Sequence, residues 1–241
     1  MTMTQAQVIQ ENIDRTYREL AAHAKPQARS RISSTPNGYI HLVAWSNASL
    51  LRILVVRFTP TLHKSQYRRK IQLDDAARST VANIEEGFAR PTTKEYLNFL
   101  GFSQASLIEV KGDVQRLRQD GLLPSRPGSS LASQSIDLRG WHEALKSSVI
   151  SRKFLQNPLK SSKGFYRNLK ELTGENQPFR FLYDPVDNLR IHALTYEILI
   201  ELVNKTDWHL RKLVISLEDK LARDQKFFQV EQARIRGMLS R

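Results

Sequence analysis

The sharpest pattern in the chain is the spacing of Tyr96, Leu100, Ser103, Leu107, Val110, Val114 and Leu117, which steps by 4, 3, 4, 3, 4 and 3 residues. A mean period of 3.5 keeps one helix face against neighbours that supercoil left-handedly, so residues 93–120 are predicted as a helix of a bundle. At 1.5 Å per residue it is about 42 Å long. Thr92-Thr93-Lys94-Glu95 fits a capping box, in which the Thr92 hydroxyl and the Glu95 carboxylate satisfy backbone N–H groups at the helix start. Leu73, Ala77, Thr80, Ile84 and Gly87 or Phe88 carry the same period through a preceding helix at 71–88, and Gly87 offers it a left-handed terminus. Tyr196, Leu199, Val203, Thr206, Leu210, Leu213 and Leu217 step by 3, 4, 3, 4, 3 and 4, predicting a long antiparallel partner over about 189–223. Residues 42–62, with Trp45, Leu50, Leu51, Ile53, Leu54 and Val55, read as a heavily buried helix that Pro60 ends or kinks.

Four such helices predict an all-α fold, an up-down four-helix bundle. Ahead of it, residues 5–24 form a polar, modestly amphipathic helical arm with Val8, Ile9, Ile13, Tyr17 and Leu20, and 26–38 reads as a linker. The third and fourth helices are separated by residues 121–188, far more than the roughly 2–8 residues usual in bundles. Within that connection, 124–130 is a flexible exit, 137–154 a short helix bearing Leu138, Trp141, Leu145 and Val149, and 179–183 a short strand stopped by Asp184-Pro185. The organisation expected is an arm and linker over 1–41, bundle helices 1–3 over 42–123, an insertion over 124–188, and the fourth helix with a basic tail over 189–241. No repeat of solenoid period occurs.

Composition narrows the function classes. At 241 residues, 40% hydrophobic and 25% charged, the chain is globular in make-up, and with no cysteine it has no disulfide, thiolate metal site or iron–sulfur cluster. The longest stretch without formal charge, 32–51, contains Ser33, Ser34, Pro36, Asn37, Gly38, Ser46, Asn47 and Ser49, so no membrane span is expected. Residues 1–15 lack the basic cluster and apolar run of a secretory signal. A soluble, cytoplasmic protein is the expectation. Glycine-rich phosphate loops, HExxH and GxSxG are absent, and the six histidines are scattered singly. Asp74-Asp75 and Glu85-Glu86 are adjacent pairs, whose side chains point about 100° apart on a helix and make no ready acid–base dyad. No enzymatic activity, cofactor or metal is therefore expected.

Lys and Arg number 37 against 24 Asp and Glu, a net charge of +13, which points to a polyanionic partner. The excess is concentrated. Between residues 52 and 70 stand Arg52, Arg57, Lys64, Arg68, Arg69 and Lys70 without an acid. Between 144 and 170 stand Lys146, Arg152, Lys153, Lys160, Lys163, Arg167 and Lys170, again without an acid and interleaved with Phe154, Phe165 and Tyr166. Cations for phosphates beside aromatic faces for unpaired bases are what a single-stranded or structured RNA site uses. The plainer alternative is solvated faces, with the aromatics packing the insertion onto the bundle. Lys226, Arg234, Arg236 and Arg241 offer a further contact from the tail.

Gln72-Leu73, Ala76-Ala77, the run Asn83-Ile84-Glu85-Glu86-Gly87-Phe88-Ala89-Arg90, Lys94-Glu95-Tyr96 and Ser106-Leu107-Ile108-Glu109 together carry a likeness. The segment resembles the four-helix-bundle proteins encoded in intervening sequences of bacterial 23S ribosomal RNA, a family related to the accessory variability protein of diversity-generating retroelements. The likeness covers residues 43–123 and 189–221. It implies an up-down bundle that assembles as a ring-like homo-oligomer, a pentamer, without enzymatic activity. In the retroelement relatives the basic bundle binds nucleic acid and a reverse transcriptase. Asn83 and Glu86, three apart on one face, are placed to form a polar helix-end network with Arg90 beside Gly87. The chain departs from the family in carrying Asp74-Asp75 before the paired alanines and in its insertion and N-terminal arm, which have no counterpart there.

The expectation is thus a non-catalytic, oligomeric nucleic-acid-binding bundle, with RNA favoured over DNA. The alternatives are a protein-interaction scaffold, for instance for a reverse transcriptase, with no direct nucleic-acid contact, and a hydrolase or nuclease hidden in the insertion.

Overall fold

The structure, a computed structural model, describes residues 37–147 and 183–239 together with Gln10, Asp14 and Arg15. The predicted arm helix, apart from those three residues, and most of the basic insertion lie outside the described residues. The described residues are helical, with six α-helices joined by turns and 3₁₀ segments and no strand among them: α1 Val43–Phe58, α2 Tyr67–Phe88, α3 Thr93–Gln119, α4 Leu138–Ser147, α5 Asp184–Asp187 and α6 Tyr196–Leu239. Residues 179–182 of the expected strand lie outside the described set, and Tyr183 is an extended residue leading into α5.

The long helices close a ring of contacts: α1 on α2, α2 on α3, α3 on α6 and α6 back on α1. All seven seam residues of α3 are buried. α1 has no polar face to show, because every residue from Ala44 to Leu51 is buried among α2, α4 and α6. It ends at Phe58, where Pro60 lacks the N–H that another turn requires and a 3₁₀ turn, Thr59–Thr61, takes over. The Thr59 hydroxyl donates to Asp74 of α2 at 2.8 Å and fixes that turn. α2 starts four residues before the predicted Ile71, on a 3₁₀ turn, Lys64–Gln66, capped by the His63 ring.

Small residues let α2 and α3 approach closely. Ala76, Ala77, Thr80 and Gly87 line the buried face of α2, and the Ser103 hydroxyl of α3 donates to the Thr80 carbonyl at 2.7 Å. Gly87 does not terminate its helix in a left-handed conformation, as the sequence reading expects. It is helical, and a Cβ there would lie 2.6 Å from Tyr96 Cδ2 and 2.7 Å from Phe99 Cβ, so glycine is required by the neighbouring helix and not by φ. The left-handed cap falls instead at Gly121, φ +69°, where the N–H of Leu122 reaches Leu117 O and that of Gly121 reaches Arg118 O, a Schellman closure of α3. Thr92 caps the other end of α3: its hydroxyl oxygen accepts from Glu95 N–H at 3.1 Å and its O–H donates to the Glu95 carboxylate at 2.7 Å.

The described parts of the 121–188 connection pack onto this body. Leu131, Ile136, Trp141, Leu145 and Val186 join the same core cluster as the long helices. Trp141 donates from its indole N–H to the Ser46 carbonyl at 2.7 Å, and Tyr183 bonds both the N–H and the carbonyl of Asp137, at 2.8 and 3.0 Å. α6 runs 44 residues, about 66 Å at 1.5 Å per residue, and well past the predicted end near 223. Among the described residues its last buried side chain is Leu217, so the expected basic tail as far as Leu239 is a helical extension.

Candidate nucleic-acid interface

The acid-free run 52–70 falls at one end of the body, across the close of α1, the 3₁₀ turns and the start of α2. Its cations divide into two sets. Lys64 and Arg68 are exposed and Lys70 is partly so. The other three are engaged by the fold, Arg52 and Arg57 partly buried and Arg69 exposed but paired. Arg57, with its side chain 23% exposed, donates to the Val186 carbonyl and lies 3.7 Å from Asp187, so it holds α5 against the end of α1 and is withdrawn from any phosphate surface. Burial lowers its pKa and Asp187 opposes that fall. Arg69 is paired with Asp120 at the end of α3. Arg52 is half-buried, close enough to Asp74 and Glu85 to favour the charged form of both carboxylates. Sequence reading could not separate the two sets, because Asp120, Val186 and Asp187 are remote along the chain.

Between the exposed cations stands Tyr67, 64% exposed, with Ile71, 39% exposed, one turn further on. Sequence reasoning missed Tyr67 by starting the helix at Ile71. The signal was present: an aromatic interleaved with Lys64, Arg68, Arg69 and Lys70, the same criterion that singled out the insertion. In the second acid-free run, Lys146 pairs with Glu143 at 2.9 Å, at the edge of that stretch. Arg152, Lys153, Lys160, Lys163, Phe165, Tyr166, Arg167 and Lys170 lie outside the described residues. Of the tail cations, Arg234 pairs with Glu231 at 2.6 Å.

The helix-end network expected of Asn83, Glu86 and Arg90 does not form. No hydrogen bond or ion pair among the described residues joins these three, and the Arg90 guanidinium lies over the Phe99 ring, 4.3 Å from its centroid. The polar contact at that level of α2 belongs to Glu85, which accepts from the Trp45 indole N–H at 2.8 Å. Burial raises the Glu85 pKa to about 7, against the opposing effects of the Trp45 hydrogen bond and Arg52. Tyr39, Trp45, Phe88 and Tyr96 form a chain of edge-on ring contacts beside it. This is a packed structural end, opposite in character to the cationic one.

At the start of α6, Glu197 accepts from the Ser125 hydroxyl and from Arg126 N–H at 2.9 Å, while Glu201 accepts from Leu131 N–H at 2.8 Å. Burial works to raise the Glu197 pKa, but the hydrogen bonds from Ser125 and Arg126 outweigh it and hold the group at about 2. These acids anchor the connection after α3 to the start of α6. Among the described residues no group of three or more His, Asp or Glu is placed to hold a metal ion, and no helix is long and apolar enough to cross a membrane.

An all-helical body with an outward-facing cationic end defines a helical protein with a candidate polyanion-binding surface. Residues 41–140 match the model of the family described as 23S rRNA-intervening sequence protein, so that segment of the chain is similar to this family. The match takes in α1, α2, α3 and the first residues of α4, and with them the whole of the cationic end up to Ile71. A search of the curated proteins gave no match, and neither did a search of the solved structures.

Proposed function

We propose that the protein is a non-catalytic nucleic-acid-binding protein in which α1, α2, α3 and α6 form an up-down four-helix bundle and the end bearing Lys64, Arg68 and Lys70 contacts phosphates. The observation that carries this reading is that Lys64 and Arg68 are exposed, and Lys70 partly so, on a stretch with no acid between residues 52 and 70. The net charge of +13 adds long-range attraction for a polyanion. The family description refers to intervening sequences of 23S rRNA, and on that ground RNA is favoured over DNA. The resemblance extends the proposal to a homo-oligomer, a pentamer, and to a reverse transcriptase as protein partner.

The test is a fluorescence-anisotropy titration of labelled RNA at increasing salt. With six or more phosphate contacts, supplied by the cationic end and the basic insertion together, affinity for single-stranded RNA falls by roughly a few hundredfold or more between about 50 and 200 mM salt. Affinity that stays level across that range removes the electrostatic mechanism. A second reading, a protein-interaction scaffold, is favoured by the exposed Trp208, Ile215 and Val230 on α6. Under it, RNA affinity is absent at every salt concentration while a protein co-purifies. A solution mass measurement tests assembly, and a monomeric particle contradicts the oligomer.

A further inference from the structure

The exposed ring at the cationic end adds a preference that charge alone does not supply. Tyr67 opens α2 with 64% of its surface in solvent, although a tyrosine ring is among the larger apolar surfaces a fold can bury. Ile71 lies four residues on, hence on the same helix face, and is also exposed. Together they make a small apolar step. Around it stand Lys64 three residues before, Arg68 immediately after and Lys70 three residues after. The nearest acids on α2 are already engaged, Asp74 with the Thr59 hydroxyl at 2.8 Å and Asp75 with Arg78 at 3.5 Å.

Cations bind the backbone of any nucleic acid, paired or unpaired. An aromatic face adds affinity only where a base is free of its neighbours, because bases in a duplex already stack on one another and the wide minor groove of A-form RNA offers edges and hydroxyls instead. We propose that Tyr67, extended by Ile71, is a stacking platform for one unpaired base, so that the cationic end distinguishes single-stranded from double-stranded RNA. The inference rests on the phosphate-binding reading above. The flanking cations hold the backbone on either side, and the ring takes the base between them.

The experiment compares an oligouridine strand with an RNA duplex of equal length as anisotropy probes, using the full chain and the variants Tyr67→Ala, Tyr67→Phe, Lys64→Gln/Arg68→Gln and Trp208→Ala. Tyr67→Ala is expected to weaken single-strand binding about five- to a hundredfold, the span of one base–aromatic stack, and to leave duplex binding and the salt dependence unchanged. Tyr67→Phe keeps the ring and is expected to bind as the parent does. Trp208, 55% exposed on α6, is the comparison aromatic, and its removal is expected to change neither probe. Equal losses on both probes for Tyr67→Ala, no loss on either, or a single-strand loss produced by Trp208→Ala in its place would each overturn the platform. If Lys64→Gln/Arg68→Gln weakens both probes while Tyr67→Ala changes neither, stacking alone fails. If the double variant binds both probes as the parent does, the cationic end is not the binding surface and both readings fall.

Discussion

Glu85 makes the stability of the protein fall as pH rises through neutrality. Its carboxyl is buried against Trp45 and its pKa is raised by that burial from the ordinary 4.5 to about 7. The folded state therefore holds a proton that the unfolded chain releases near 4.5. Stability from this group is complete below about pH 4.5 and is lost as pH climbs through 7. A rise from 4.5 to about 7 corresponds to about 3 kcal/mol, at roughly 1.4 kcal/mol per tenfold change in proton affinity. Glu85→Gln keeps an oxygen to accept the Trp45 N–H and removes the ionisation. The assay is urea unfolding of both proteins at equal concentration from pH 4.5 to 8.5. The variant is expected to match the parent within about 1 kcal/mol at pH 4.5 and to exceed it by about 3 kcal/mol at pH 8.5. The difference between the two proteins isolates Glu85 from Asp74, also raised by burial, and His142, lowered by burial, because those groups titrate in both. Stability curves that stay parallel between about pH 4.5 and 7, the interval bounded by the unfolded and folded pKa values, would refute the reasoning.

Two further predictions concern the helix pair α2–α3. Gly87→Ala brings a methyl group to 2.6 Å from Tyr96 Cδ2 and is expected to cost about 1–3 kcal/mol in thermal unfolding, whereas Gly101→Ala, with nothing within 4 Å, is expected to stabilise by about 1 kcal/mol. Shifts of the same sign would contradict the packing argument. Thr92→Ala removes the oxygen that accepts from Glu95 N–H and should destabilise by about 1 kcal/mol in the same assay, and an unchanged transition would show that water caps α3 equally well.

The α3 seam was legible in the sequence because that helix buries one face and exposes the other, so the period of its apolar residues survives in the chain. α1 hid its boundary and its faces for the opposite reason: neighbours surround Ala44 to Leu51, and no polar stripe remains to mark a period. Gly87 was legible as special and its role was not, since a left-handed cap and a close helix approach both call for a missing Cβ. Only the distance to Tyr96 separates them. Glu85 and Glu86 stand about 100° apart on α2, and which of them meets Trp45 is decided by a helix forty residues away in sequence. The candidate site was legible as a run of charge and not as a surface. Arg57 and Arg69 find remote partners that composition cannot reveal, whereas Tyr67 stood in the sequence among the cations and its exposure at the start of α2 is what the structure adds.

The most direct test of the central claim, that exposed cations at the start of α2 neutralise phosphates, is the salt slope of single-stranded RNA binding measured with and without them. For Lys64→Gln/Arg68→Gln the plot of log affinity against log salt is expected to flatten by about 1.4, roughly 0.7 for each lost contact to a single strand. A slope identical to that of the parent protein would mean that these side chains touch no phosphate.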